Sequence, residues 1–184
     1  MLIGKPTVTE TAKTYKKLQQ LIGPLAAAQL DTTIGLTLTR TRAISAASIA
    51  KEIPAGLASR PDLEVEIEPL VQQDSSLQAD FTVTIRNSRY FYDIQIVAIS
   101  KDSAKEDPYS TLKEAASEKR RKYQSLGAFF HPLIFSAGGL IDQETSQTYK
   151  KLQELLGPFA ASQLDSTISL TLTKTKAILA ASIA

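Results

Sequence analysis

The sequence predicts a mixed α/β fold (α+β): one α-β-β-β-α-β core with helical repeats on either side. Three observations predict it. Near-duplicate segments at the two ends place apolar residues at helical spacing. The middle holds short stretches that alternate apolar with polar, or run apolar and β-branched, as strands do. Between the third and fourth of these lies a segment with one apolar stripe and a glycine stop, as a helix has.

Composition sets the outer bounds. The 184 residues suffice for one ordinary domain or two small ones, and 43% hydrophobic with 22% charged residues is a folding composition. With no Cys, disulfide scaffolds, thiolate zinc sites and cysteine nucleophiles are excluded. A single His excludes a His-rich metal site. No apolar run reaches the roughly 18 residues of a membrane span, and the first 17 residues lack the ordering of a secretion signal. A soluble, intracellular protein with no membrane partner is therefore expected. The net charge of +2 is too small to announce a nucleic-acid binder by itself.

Residues 11–50 recur at 145–184, with 29 of 40 positions identical at a constant offset of 134. Two copies are too few for a solenoid, which needs about three. The plain reading is a recent duplication or a piece of a tandem array, without a function of its own. Each copy reads as a helical pair. Tyr15, Leu18, Leu21 and Ile22 recur at helical spacing, as do Tyr149, Leu152, Leu155 and Leu156. Gly23-Pro24 and Gly157-Pro158 then stop one helix and start the next. The run Ile168-Ser-Leu-Thr-Leu-Thr-Lys-Thr alternates like a strand, but Leu164, Ile168, Leu172 and Leu179 fit one helical face, and helix is the reading adopted.

The unique middle, residues 51–144, carries 11 basic and 15 acidic residues, against 6 and 2 in residues 1–50 and 4 and 2 in residues 145–184. A helix from about Arg42 is ended by Pro54 and Gly56. Leu63–Glu68 alternates as a half-exposed strand, Phe81–Ile85 is a second, Asn87-Ser88 a turn, and Tyr90–Ile99 a third. A helix follows from Pro108 to Leu126, closed by Gly127. Ala128–Phe135 is a last strand, which Pro132 assigns to an edge or a bulge.

The polar residues of the hairpin decide the chemistry. With Asn87-Ser88 as the turn, Asp80 faces Gln95 and Thr82 faces Asp93. Asp80, Asp93 and Gln95 then share one face, because side chains alternate along a strand. Phe81, Val83 and Ile85 take the other face with Tyr92 and Ile94. Two carboxylates at close range repel unless a cation lies between them, and oxygen-only ligands suit Mg²⁺ or Mn²⁺. The plain alternative is a solvated acidic face. On the following helix, Lys119 falls inside the apolar stripe of Leu112, Ala115, Ala116, Tyr123 and Leu126, and Lys122 borders it. Lys119 would project toward the Asp80/Asp93 face, to orient a water or steady a phosphate. The run from Lys119 to Lys122 also reads as a solvated face, a phosphate contact or a nuclear-import patch.

Ala79-Asp80, Asp93-Ile94-Gln95 and Lys119-Arg-Arg-Lys122-Tyr123, in this order and spacing, resemble the restriction-like endonuclease domain of non-LTR retrotransposon reverse transcriptases, within the PD-(D/E)xK nuclease superfamily. The resemblance covers residues 42–141, and Gly127–Gly139 is similar to the strand that follows in such proteins. It implies a restriction-endonuclease-like core at 42–141, an N-terminal helical repeat copy at 1–41 and a helical tail at 142–184. It implies Asp80 and Asp93 as metal ligands for Mg²⁺ (or Mn²⁺), assisted by the carbonyl beside Gln95. Lys119 or Lys122 would replace the lysine expected at 95. The implied activity is metal-assisted hydrolysis of a DNA phosphodiester, in a nuclear protein of retroelement origin. Ala79 replaces the usual Pro, and neither reverse transcriptase nor zinc knuckle is present. The alternative is an inactive remnant serving as a DNA-binding or protein-interaction module, and the repeats also suggest a homo-oligomer.

Four features are set aside or held as minor. Pro61-Asp62 precedes the first strand and is a decoy. Glu66 or Glu68 is a further candidate for the carboxylate site. His131 reads as structural, and Gly138-Gly139 as a turn rather than a phosphate loop.

Overall fold

The computed structural model describes residues 8–71, 77–99 and 107–181. It is a mixed α/β fold. Helix α1 (Val8–Ile22) and the long α2 (Pro24–Leu57) lead into β1 (Glu64–Ile67), β2 (Phe81–Ile85) and β3 (Ser88–Val97). Helix α3 (Ser110–Lys122), β4 (Phe130–Ser136), α4 (Gln143–Leu156) and α5 (Pro158–Ala181) follow. The strands form one sheet in the order β1-β2-β3-β4. The first three are antiparallel and β4 runs parallel to β3, so α3 is the crossover between them. Pro132 lies on β4 at the sheet edge, where a missing donor is tolerated.

Alternation divides the sheet into two packed faces. Phe81, Val83, Tyr92, Ile94, Ile96, Leu133 and Phe135 point toward α2, α4 and α5 and form the main core with Ile49, Ile53, Leu57, Leu152 and Leu164. On the other face Val97 and Ile134 meet Leu112, Ala115 and Ala116 of α3. Beside them Ala79, Phe91 and Phe130 close around Tyr123, whose ring stacks on Phe130 at 4.3 Å. The sheet is therefore a middle layer between helices.

Both repeats fold as the same helical hairpin. Gly23 and Gly157 carry φ of 81° and 78°, and each joins two helices. Tyr149 and Gln153 donate to Asp165 at 2.7 and 2.8 Å, and Tyr15 and Gln19 donate to Asp31 in the same pattern. The strand-like alternation of the second helix is overruled. Its threonines return their hydroxyls to the carbonyl four residues back, as Thr32, Thr33, Thr37 and Thr39 do at 2.9 Å, and so sit in a helix without stranded donors. The side chain of Leu179 lies outside the described residues.

Several boundaries differ from the sequence expectation. No helix begins at Arg42. Helix α2 runs unbroken from Pro24 to Leu57, because nothing between Leu38 and Lys51 stops it, so position 41/42 lies inside one helix. Pro54 does not end it either. It sits buried in the last turn, and the Ala58 N–H caps its carbonyl at 2.8 Å. Helix α3 is shorter than expected. It ends at Lys122, and a 3₁₀ stretch, Gln124–Phe129, completes the segment, with Gly127 at φ 52°.

Candidate active site on the central hairpin

The hairpin turn is Arg86-Asn87, not Asn87-Ser88. Both central residues have positive φ, 48° and 66°, the geometry of a two-residue hairpin turn that follows strand twist. Ile85 therefore pairs with Ser88, Thr82 with Phe91 rather than Asp93, and Phe81 with Tyr92. One residue further on, Asp80 falls beside Asp93 rather than Gln95. The register has moved by two residues. An even slip keeps every side chain on its face, so the expected grouping of Asp80, Asp93 and Gln95 survives with its two carboxylates closer together.

Asp80 is fixed where β2 leaves the regular ladder. Its N–H donates to the Tyr92 carbonyl at 3.0 Å, and its own carbonyl accepts from the Glu68 N–H at 2.9 Å. Its Oδ2 accepts the Ile94 N–H at 2.5 Å, so a side-chain oxygen replaces a backbone acceptor between the strands. Asp93 is buried on β3. Its Oδ1 lies 2.6 Å from the Tyr123 hydroxyl, which is also 2.5 Å from the Gln78 carbonyl. A phenol has one proton, so Tyr123 serves one of these acceptors at a time. Asp93 Oδ2 lies 2.5 Å from Lys119 Nζ. The pair lacks hydrogen-bond alignment, so this buried oxygen is neutralised in charge yet has no aligned donor.

The electrostatics follow from that crowding. Burial, then the charge of Asp93, pushes the Asp80 carboxyl up to about 6, against the opposing pull of the Ile94 N–H and Lys119; the nearby charge of Glu68 adds to the rise. Burial and the hydrogen bond to Asp93 raise the Tyr123 phenol, so it stays a protonated donor. Lys119 meets the carboxylates as expected. Lys122 does not: its Nζ lies over the Tyr123 ring at 5.0 Å and 3.4 Å from its hydroxyl. Gln95 joins Glu118, Lys119, Arg121 and Lys122 around a cleft of about 540 Å³, to which Asp93 is tied through Lys119.

The minor candidates sort themselves. Glu66 is held by Arg89, while Glu68 is close enough to influence Asp80. Asp62 of the decoy is tied to Arg60 at 2.9 Å. His131 lies between Tyr90 and Tyr92, with centroids 5.8 and 5.5 Å away, on the opposite sheet face from Asp93. Gly139 turns the chain at φ 89°, its N–H on the Ser136 carbonyl. Sequence reasoning placed Tyr123 in an apolar stripe and missed its hydroxyl; its position directly after Lys122 was the available signal. The Ile94 N–H and Gln78 carbonyl left no signal, being backbone.

The residues fit a divalent cation. Two carboxylates are forced together, one has a buried oxygen without an aligned donor, and burial with the neighbouring charge of Asp93 makes the other resist ionisation. Mg²⁺ is usually held by one or two carboxylates and several waters, so two suffice, although no cluster of three or more His, Asp or Glu is placed for a metal among the described residues. No helix among the described residues is long and apolar enough to cross a membrane. No protein-family model matches the chain, and no curated protein matches its sequence.

Proposed function

We propose that the chain is a metal-dependent DNA endonuclease domain of the restriction-like kind found in non-LTR retrotransposon reverse transcriptases. The observation that carries this reading is the pair Asp80 and Asp93, side by side on one sheet face under Lys119. The α-β-β-β-α-β order, with the last strand parallel to the third, supports it. Asp80 and Asp93 hold Mg²⁺ or Mn²⁺. When bound, such a cation activates water and stabilises charge on the scissile phosphate. Tyr123 keeps Asp93 oriented, and Lys119 and Lys122 present ammonium groups to a phosphate in the cleft that Gln95 also lines. The two repeats, with 9 basic and 3 acidic residues across 11–50 and 145–184, supply positive surface for the DNA backbone. Nuclear residence follows from this reading.

The test is Mg²⁺- or Mn²⁺-dependent nicking of supercoiled plasmid, with Asp93→Ala purified in parallel. Nicking that needs the cation and vanishes in Asp93→Ala is the expected result. Equal activity in both proteins would place the site elsewhere or reveal a contaminant. A second reading, an inactive remnant that binds DNA or protein, is favoured by one observation: Lys119 already satisfies the charge of Asp93 where a cation would sit. Calorimetric titration showing no Mg²⁺ or Mn²⁺ binding, together with absent nicking, selects that reading.

A further inference from the structure

The two hairpins are close in sequence, with 29 of 40 positions identical, and unequal in burial. In the C-terminal copy Leu152 and Leu156 are 0% and 8% exposed, and Leu164, Ile168, Leu172 and Thr175 are buried as well. Their counterparts 134 residues earlier are Leu18 and Ile22, at 44% and 38% exposed, and Leu30, Ile34, Leu38 and Thr41, each only half-buried. The C-terminal face is covered by this chain's own core, through Ile49, Ile53 and Leu57 of α2 and the sheet behind them.

The differences between the copies avoid that face. Among the described residues of the C-terminal copy, Leu156 is the one buried position that differs, and its counterpart Ile22 keeps the volume. Of the other changes among the described side chains, Ser146 against Ala12 is half-buried and the rest, such as Glu154 against Gln20, Phe159 against Leu25 and Lys174 against Arg40, fall on exposed positions. The N-terminal hairpin therefore carries the side chains that fit this core.

The packing also has a direction. The Thr175 hydroxyl on α5 lies 2.5 Å from that of Ser45, while an added Cβ on Gly56 would lie 2.8 Å from Leu156, the last residue of α4, so α5 starts beside the C-terminal end of α2 and runs back toward its middle. Replacing Thr175 by its counterpart sets Thr41 of a second copy against Ser45. A two-fold axis relating the two copies then sets Ser45 of that copy against Thr41, so the contact repeats itself and closes.

We infer that the exposed face of the N-terminal hairpin is a docking surface for the core of a second copy of this chain, on which it takes the place that the C-terminal hairpin fills in cis. In the resulting dimer the two α2 helices cross antiparallel, and each core is covered by the other chain's N-terminal hairpin. Within one chain the C-terminal hairpin has an effective concentration on the order of millimolar. Exchange therefore wins when that hairpin is displaced, or at protein concentrations that approach this value.

The test uses the full chain, which has no Cys of its own. Leu152→Asp with Leu172→Asp disables the cis hairpin, and Thr41→Cys with Ser45→Cys reports the crossing. Light scattering is expected to give twice the 20.0 kDa of the chain. Oxidation should give a disulfide-linked dimer, and adding Leu18→Asp and Leu38→Asp should abolish both. A monomer, or a dimer without the 41–45 cross-link, overturns the inference; the latter would be pairing through another surface, such as Phe159 and Leu170. In case the disabled chain does not fold, Thr41→Cys/Ser45→Cys in an otherwise unchanged chain is refolded at about millimolar concentration and oxidised. A cross-linked dimer there supports exchange, and a protein that stays monomeric excludes it.

Discussion

Asp80 and Lys119 set the charge of the site, and each can be tested by removing its charge alone. The Asp80 carboxyl is lifted to about 6, above the roughly 3.9 of an unfolded chain. The folded state therefore binds the extra proton between these values. Its contribution to stability is fully present below pH 4 and is lost as pH rises through 6. In chelator, urea denaturation of the wild type should show a decline on the order of 2–3 kcal/mol over that window, at about 1.4 kcal/mol per unit. Asp80→Asn keeps an acceptor for the Ile94 N–H and removes the titration, so its profile should lack that decline. A wild-type profile that rises from pH 4 to 6 would contradict the assignment. Lys119→Met acts in the opposite sense. It leaves Asp93 buried without its counter-charge, which costs about 3–5 kcal/mol in comparable buried pairs, and Lys119→Arg should recover most of the loss. The same denaturation series measures both.

At the scale of the element, the repeat is a controlled comparison written into one chain. Leu152→Ala opens a cavity in the packed core and should cost about 2–5 kcal/mol. Leu18→Ala removes the same atoms from a half-solvated surface and should stay within about 1 kcal/mol. Equal losses from chemical denaturation would mean that the N-terminal hairpin is covered in solution. Which copy packs on the core was not legible in the sequence, because the two faces are the same and only the chain's path decides between them. Element order, the edge position of β4 and the shared face of Asp80, Asp93 and Gln95 were legible. Period-two and helical patterns survive small errors, and the misplaced turn moved the register by an even number. Element ends were not: Pro54 reads as a stop but is tolerated in a last turn, and Arg86 gives no sign of the positive φ that it adopts. The site's supporting shell was only half legible, since Tyr123 is named by a motif whereas the Ile94 N–H and Gln78 carbonyl have no letter in the sequence.

Across the whole molecule, the sheet separates two kinds of machinery. The carboxylates, Lys119 and Tyr123 lie on the α3 face, while the duplicated hairpin packs through α2 on the other. Perturbations on opposite faces share no partner side chains and should add. Cation binding and hairpin docking should therefore be separable in one experiment. If Asp80 and Asp93 hold a divalent cation, saturating Mn²⁺ or Mg²⁺ stabilises the native state by mass action, about 2.7 kcal/mol at a hundred times Kd. For a chain of this size that corresponds to a rise in Tm of roughly 5–10 °C. The rise should vanish in Asp93→Asn, whose side chain can still accept from Tyr123 but no longer offers a full negative charge. Leu152→Ala should lower Tm in chelator and yet show the same rise on adding the cation. A rise retained by Asp93→Asn would place the cation elsewhere. A rise lost in Leu152→Ala would mean that the two faces communicate through the sheet, and that the repeat belongs to the chemistry rather than only to the packing.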